Sequence, residues 1–165
     1  MKIQRIIVPT DFSPQSRIAL RYAIDLAKPW DAELLLVHVV EPIRYTRFLE
    51  DVSELLEKQG EEAAEDLSNL EKEIRQSYRN CRGEVHFGVA FEVIADVAEK
   101  SGADLIVVAT HGHTGFSRLF LGSVAERLVR LARCPVLTVH AEEPSTPARP
   151  RRAAARSRAR VKRSR

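Results

Sequence analysis

Short β-branched or leucine-rich runs alternate along this chain with longer segments whose apolar residues recur every three or four positions. Ile3, Ile6, Ile7 and Val8 form the first run, which stops at Pro9-Thr10-Asp11. A buried strand ending in a polar turn reads this way, and the turn delivers Asp11 to the strand's carboxyl end. Ser13-Pro14 is a helix start, with serine as N-cap and proline as first helical residue. Ile18, Ala19, Tyr22, Ala23, Leu26 and Ala27 then follow at helical spacing as far as Pro29. Ala32 to Val40 predict a second strand, continuous enough over Leu34 to Val40 to be covered on both faces. Between about Arg47 and Tyr78, two apolar series on either side of Gly60 predict one bent helix or two, with their acidic residues on a solvated face. Gly83 to Val89 alternate as a strand, Val85 and Phe87 on one side, Glu84 and His86 on the other. Phe91 to Ser101 are helical in spacing, Leu105 to Val108 are a buried strand, Ser123 to about Ala132 a helix, and Val136 to His140 a last strand.

Strands alternating with helices imply a parallel sheet with helices on both faces, because parallel neighbours need right-handed crossover connections. The expected fold is therefore a doubly wound α/β domain of five strands. Its chemistry concentrates where the fourth strand stops. There the chain runs through His111, Gly112, His113 and Gly115 to Gly122-Ser123 at a helix start. Gly112 and Gly115 permit positive φ and close backbone approach, and the first N–H groups of the helix have no intrahelical acceptor. With the positive end of the helix dipole behind them, those donors suit a phosphate.

Ala109-x2-Gly112-x9-Gly122-Ser123 resembles the G-x2-G-x9-G-[S/T] signature of the nucleotide-binding universal stress proteins, with Ala109 in place of the first glycine. The resemblance extends to Ile6–Ser13, Leu36–Val40 and Pro135–His140, and so reaches about His140. It implies strand order 3-2-1-4-5 and a ligand at the carboxyl ends of strands 1 and 4, where the order reverses. It further implies that Pro9 and Thr10 form the cleft wall, that Asp11 faces the nucleoside or a metal-linked water, and that the backbone of Val39 meets adenine. The amides of Gly112, Gly122, Ser123 and Val124 would hold the phosphates, helped by the Ser123 hydroxyl. The implied function is that of an ATP-binding universal stress protein, a nucleotide-dependent regulator that forms a homodimer through its last strand. A carboxylate beside a triphosphate repels it unless a cation intervenes, so Mg2+ or Mn2+ is expected with the ATP.

Each residue also has a plainer role: Gly112 and Gly115 as loop glycines, Gly122-Ser123 as a helix cap, Asp11 as a turn aspartate, Val39 as core. At Ala109 a β-carbon would cost roughly 1 kcal/mol if the backbone needed positive φ, or its methyl would intrude on the ligand. His111 and His113 lack a third clustered ligand and read as solvent-facing, with His113 or Arg118 in reach of a γ-phosphate. No Walker loop, Rossmann G-x-G-x-x-G, Ser-His-Asp set or paired carboxylates are present, so hydrolysis is expected to be slow at most. The alternative is an adaptor of the same fold that has lost its nucleotide and acts through its dimer surface or tail.

At 165 residues, 44% of them hydrophobic and 30% charged, the chain is expected to form one soluble domain. Its apolar runs are too short to span a membrane, and the start of the sequence has no secretory pattern, so the cytoplasm is the expected location. Cys81 reads as a loop thiol and Cys134 as a small buried hydrophobe, without disulfide or zinc spacing. The net charge of +3 hides an asymmetry: nine of the 26 bases and two of the 23 acids fall in residues 141–165, giving +7 there and −4 elsewhere. Those residues have too little apolar surface to offset ordering and are expected to be a disordered basic tail after a domain of residues 1–140. Such a tail suits weak, salt-sensitive, non-specific contact with nucleic acid, and it lacks aromatic groups for base stacking.

Overall fold

The computed structural model describes residues 2–42, 52–110 and 122–140. Five strands, β1 (Arg5–Pro9), β2 (Glu33–Val40), β3 (Cys81–Phe87), β4 (Leu105–Ala109) and β5 (Val136–Val139), alternate with four helices. These are α1 (Pro14–Ala27), α2 (Val52–Arg75), α3 (Ala90–Ser101) and α4 (Ser123–Leu131). All pairings are parallel and the order is β3-β2-β1-β4-β5. The order of strands therefore reverses between β1 and β4, as the doubly wound reading requires.

Two apolar layers sandwich this sheet. Ile6, Val8, Leu34, Leu36 and Val107 face α1 and α2, meeting Ala19, Leu20, Ala23, Leu67, Leu70 and Ile74. Ile7, Leu35, Val37, Ile106 and Val108 face α3 and α4, meeting Ile94, Val97, Ala98, Ala125 and Leu128. The period-two alternation of each strand thus sorts its side chains between the two helix layers. Ile6, Ile7, Leu34, Leu35, Leu36 and Ile106 have no exposed surface at all.

The start of α1 follows from its sequence: the Ser13 hydroxyl accepts the Ser16 N–H at 3.2 Å and Pro14 occupies the first turn. Over its described length α2 is a single helix of 24 residues running through Gly60. Glycine at that point lets the Phe87 ring of β3 lie close, since a β-carbon there would stand 2.7 Å from Cζ. Gly83 on β3 is matched against Leu67 of α2 in the same way, again at 2.7 Å. The long helix is consequently seated on the edge strand through two positions where a side chain is missing. The part of the predicted helical region at residues 43–51 lies outside the described residues.

The cysteine assignments are reversed. Cys81 is 4% exposed and begins β3, two residues before the strand predicted from Gly83, with its backbone opposite Leu34 and under α2. Burial, with Glu71 nearby, pushes its thiol up to about 12. Cys134 is half-buried in the turn before β5. A charged ladder crosses the amino-terminal end of the sheet, where Glu33 receives hydrogen bonds from Arg5 and Arg82, each at 2.5 Å, and Arg82 also pairs with Glu84. Burial works against the charged Glu33 carboxylate, but the hydrogen bonds from Arg82 and Arg5 outweigh it and hold the group below its ordinary value.

Candidate functional site

At the carboxyl ends of β1 and β4 the chain encloses a cavity of about 330 Å³. Its position is the reversal point of the sheet, where the two adjacent strands send their connections to opposite faces and a cleft is left between them. Pro9, Thr10 and Asp11 enter from β1, Val39 from β2, Ala109 from β4, and Gly122, Ser123 and Val124 from α4. Eight of the nine residues expected at the site thus meet on one cavity. The ninth, Gly112, lies outside the described residues, as do His111, His113, Gly115 and Arg118.

The first turn of α4 supplies the donors. Gly122 is its N-cap, with φ −55° and ψ 145°, and provides no side-chain cap. The first intrahelical bond runs from Glu126 N–H to the Gly122 carbonyl at 2.9 Å, so Ser123, Val124 and Ala125 occupy the turn whose N–H groups have no helical acceptor behind them. All three line the cavity. The Gly122 amide is different from its expected role: it donates to the Thr110 carbonyl at 2.6 Å. That bond ties the helix start to the end of β4, and Thr110, fully buried, is held in turn by its N–H to the Val139 carbonyl and its hydroxyl near His140 Nδ1.

Opposite stands the β1–α1 turn. Thr10 donates its N–H to the Val37 carbonyl at 2.9 Å, and its hydroxyl accepts the Phe12 N–H at 3.1 Å. Asp11 accepts the Ser13 N–H through Oδ1 at 3.1 Å, a side-chain turn that fixes its carboxylate. Phe12 has φ +61°, a left-handed conformation that costs a residue with a β-carbon roughly 1–2 kcal/mol. Val39, Val108, and Ala90 and Ile94 of α3 give the wall an apolar part, and Ser16, His38 and Thr110 are further polar residues of the lining. The cavity therefore has an apolar slot at one side, backbone donors at another, and Asp11 as the only carboxylate among its described lining residues.

Ala109 carries no backbone strain. It lies in β4 opposite Val139, and among the described non-glycine residues positive φ occurs only at Phe12 and Asp31. Its methyl packs with the α1-side cluster, whereas Val108 before it packs with the α3 and α4 side that carries the helix start. A β-carbon at this position is not strained, and the residue lines the cavity.

Residues 2–140 match the sequence model of the universal stress protein family. The chain belongs to this family. Among its relatives, universal stress protein MJ0531 of Methanocaldococcus jannaschii is 40% identical over 141 residues, covering 82% of this chain and 81% of that one. Among solved structures, protein MJ0577 of the same organism superposes with a TM-score of 0.78 at 30% identity, over 87% of this chain and 99% of that chain. The universal stress protein of Archaeoglobus fulgidus in complex with dAMP superposes with a TM-score of 0.55 at 26% identity, over 84% and 98%. The five-stranded parallel sheet in order 3-2-1-4-5 is the fold shared with these universal stress proteins.

Several lining residues carry no signal in the glycine motif, among them Ser16, Val37, His38, Ala90 and Ile94. Ala90 and Ile94 read only as one face of α3 until the sheet brings β2 beside them. His38 did offer a signal, because an imidazole inside the run Leu34–Val40 must find a polar partner.

Proposed function

We propose that this universal stress protein binds an adenine nucleotide, ATP with Mg2+ or Mn2+, in the cavity between β1 and β4. One observation carries the reading: Asp11 and the open first turn of α4 face a single cavity that also has an apolar slot. The base and ribose suit the slot formed by Val39, Ala90, Ile94 and Val108, and the phosphates suit the amides of Ser123, Val124 and Ala125 with the Ser123 hydroxyl. Asp11 takes a ribose hydroxyl or a cation-bound water. The divalent ion enters with the phosphates of the nucleotide. The relative from Archaeoglobus fulgidus in complex with dAMP supports the choice of an adenine ligand.

In this reading the protein is a nucleotide-dependent stress-response regulator of the cytoplasm and hydrolyses ATP slowly at most, with Asp11 the only carboxylate among the described lining residues of the cavity. No described helix is long and apolar enough to cross a membrane. It acts as a homodimer through β5, a reading supported by the contrast between the sheet's two edges: β3 carries Arg82, Glu84 and His86, whereas β5 is Val-Leu-Thr-Val with Leu137 exposed. The basic residues 141–165 add weak, salt-sensitive contact with nucleic acid. Calorimetry of the full chain with Mg-ATP tests the central claim. Saturable heat is expected, with Asp11→Ala weakening binding by about tenfold or more, the cost of losing a charge-assisted contact. A folded protein that gives no heat at millimolar nucleotide would leave the adaptor role instead.

A further inference from the structure

His38 sits in β2 directly before Val39, so the two side chains project to opposite faces of the sheet. Val39 packs on the α3 and α4 side. The His38 ring goes to the α1 side, where it stacks on Phe12 with centroids 4.5 Å apart and planes inclined by 27°. Its Nδ1 lies 2.8 Å from the Thr10 carbonyl oxygen. A carbonyl only accepts, so Nδ1 carries the hydrogen in this arrangement. That carbonyl belongs to the planar peptide unit that ends at the Asp11 nitrogen, and holding one end of the plane fixes the other. Phe12, the residue after Asp11, is the one in left-handed backbone, and a strained conformation persists only where its surroundings hold it.

We propose that His38 is the positioning residue for Asp11: one ring grips the residue on each side of it, by hydrogen bond at Thr10 and by stacking at Phe12, and so presents the carboxylate to the cavity. The consequence for ligand binding rests on the nucleotide reading above, while the grip itself does not. Two substitutions separate the ring's two contacts. His38→Phe keeps an aromatic face for Phe12 and removes the donor. His38→Asn removes the ring and places an amide N–H near the position of Nδ1.

The test uses the full chain. In ligand-free protein, nitrogen-detected NMR of the imidazole is expected to find hydrogen on His38 Nδ1, and His38→Phe is expected to shift the Asp11 and Phe12 amides. With Mg-ATP, His38→Phe is expected to bind about tenfold more weakly, the worth of one hydrogen bond, and His38→Asn to recover binding to within about threefold of the parent. A His38 Nδ1 without hydrogen, unmoved amides in His38→Phe, or His38→Asn binding no better than His38→Phe would overturn the assignment. If His38→Phe does not fold, the Nδ1 hydrogen and the His38→Asn affinity decide. A parent protein that binds no nucleotide removes the nucleotide reading alone, because the Nδ1 hydrogen and amide shifts still report whether His38 sets the turn.

Discussion

Ala109 shows how much a single side chain's meaning depends on which way the strand turns it. From the motif alone its methyl stands where glycine is expected, and Ala109→Gly should strengthen nucleotide binding. With the backbone extended and the methyl packed against the α1-side cluster, strain gives no reason for such a gain: Ala109→Gly should alter Mg-ATP affinity by less than about threefold and cost about 1 kcal/mol of stability, through loss of packing and greater chain entropy. Calorimetry and urea unfolding on one preparation measure both. Glu33 is the other residue whose setting gives a signed prediction. Its folded-state pKa is depressed, so its contribution is present above the ordinary carboxylate value and is lost as pH falls through the depressed one. Glu33→Gln should therefore be less stable than the parent at neutral pH, by roughly 1 kcal/mol for a partly exposed cluster. That difference should shrink towards zero as acid protonates the carboxylate in the parent, which unfolding curves from neutral pH down to about pH 3 would follow. His38 was legible only as a polar residue in an apolar run. Its partner is 28 positions away, and only the register that places Pro9 opposite Val37 brings them together.

The same contrast holds among the elements. The starts of α1 and α4 are written locally, in Ser13-Pro14 and Gly122-Ser123, because capping is decided within one turn. The start of β3 is not, because Arg79-Asn80-Cys81-Arg82 is polar in composition and Cys81 becomes interior only under α2. Likewise nothing in the sequence distinguishes Gly83, inside a strand, from a defect until Leu67 is found above it. Gly83→Ala should cost about 1–3 kcal/mol by overpacking against buried Leu67, measurable as a lowered urea midpoint. The open turn of α4 allows its backbone donors to be tested without disturbing the helix. Proline is tolerated at the first helical position, and Gly122 already has the extended ψ of 145° that a following proline requires. Ser123→Ala removes only the hydroxyl, whereas Ser123→Pro removes the amide hydrogen too. Mg-ATP binding is expected to be about tenfold weaker in Ser123→Pro than in Ser123→Ala, with melting temperatures alike. Equal affinities would mean that this amide does not hold phosphate.

For the whole molecule, the order of strands places the cavity, and the order was readable from alternation plus the family resemblance, whereas the depth of the cavity depended on α3 packing beside β2. The two sheet edges differ in character, and this bears on assembly. Leu137→Lys, which puts a charge on the uncharged edge, is expected to shift the protein from dimer to monomer in sedimentation while Mg-ATP binding persists. Cys81 offers something further at this scale. Sealed between β3 and the long helix, with its proton held to about pH 12, it is closed to alkylating reagents for as long as that layer stays shut, whereas Cys134 is half-open at the start of β5. A maleimide dye added to the native protein therefore labels one site beside the proposed self-association edge. The slow appearance of a second adduct then serves as a built-in clock for how often the molecule opens.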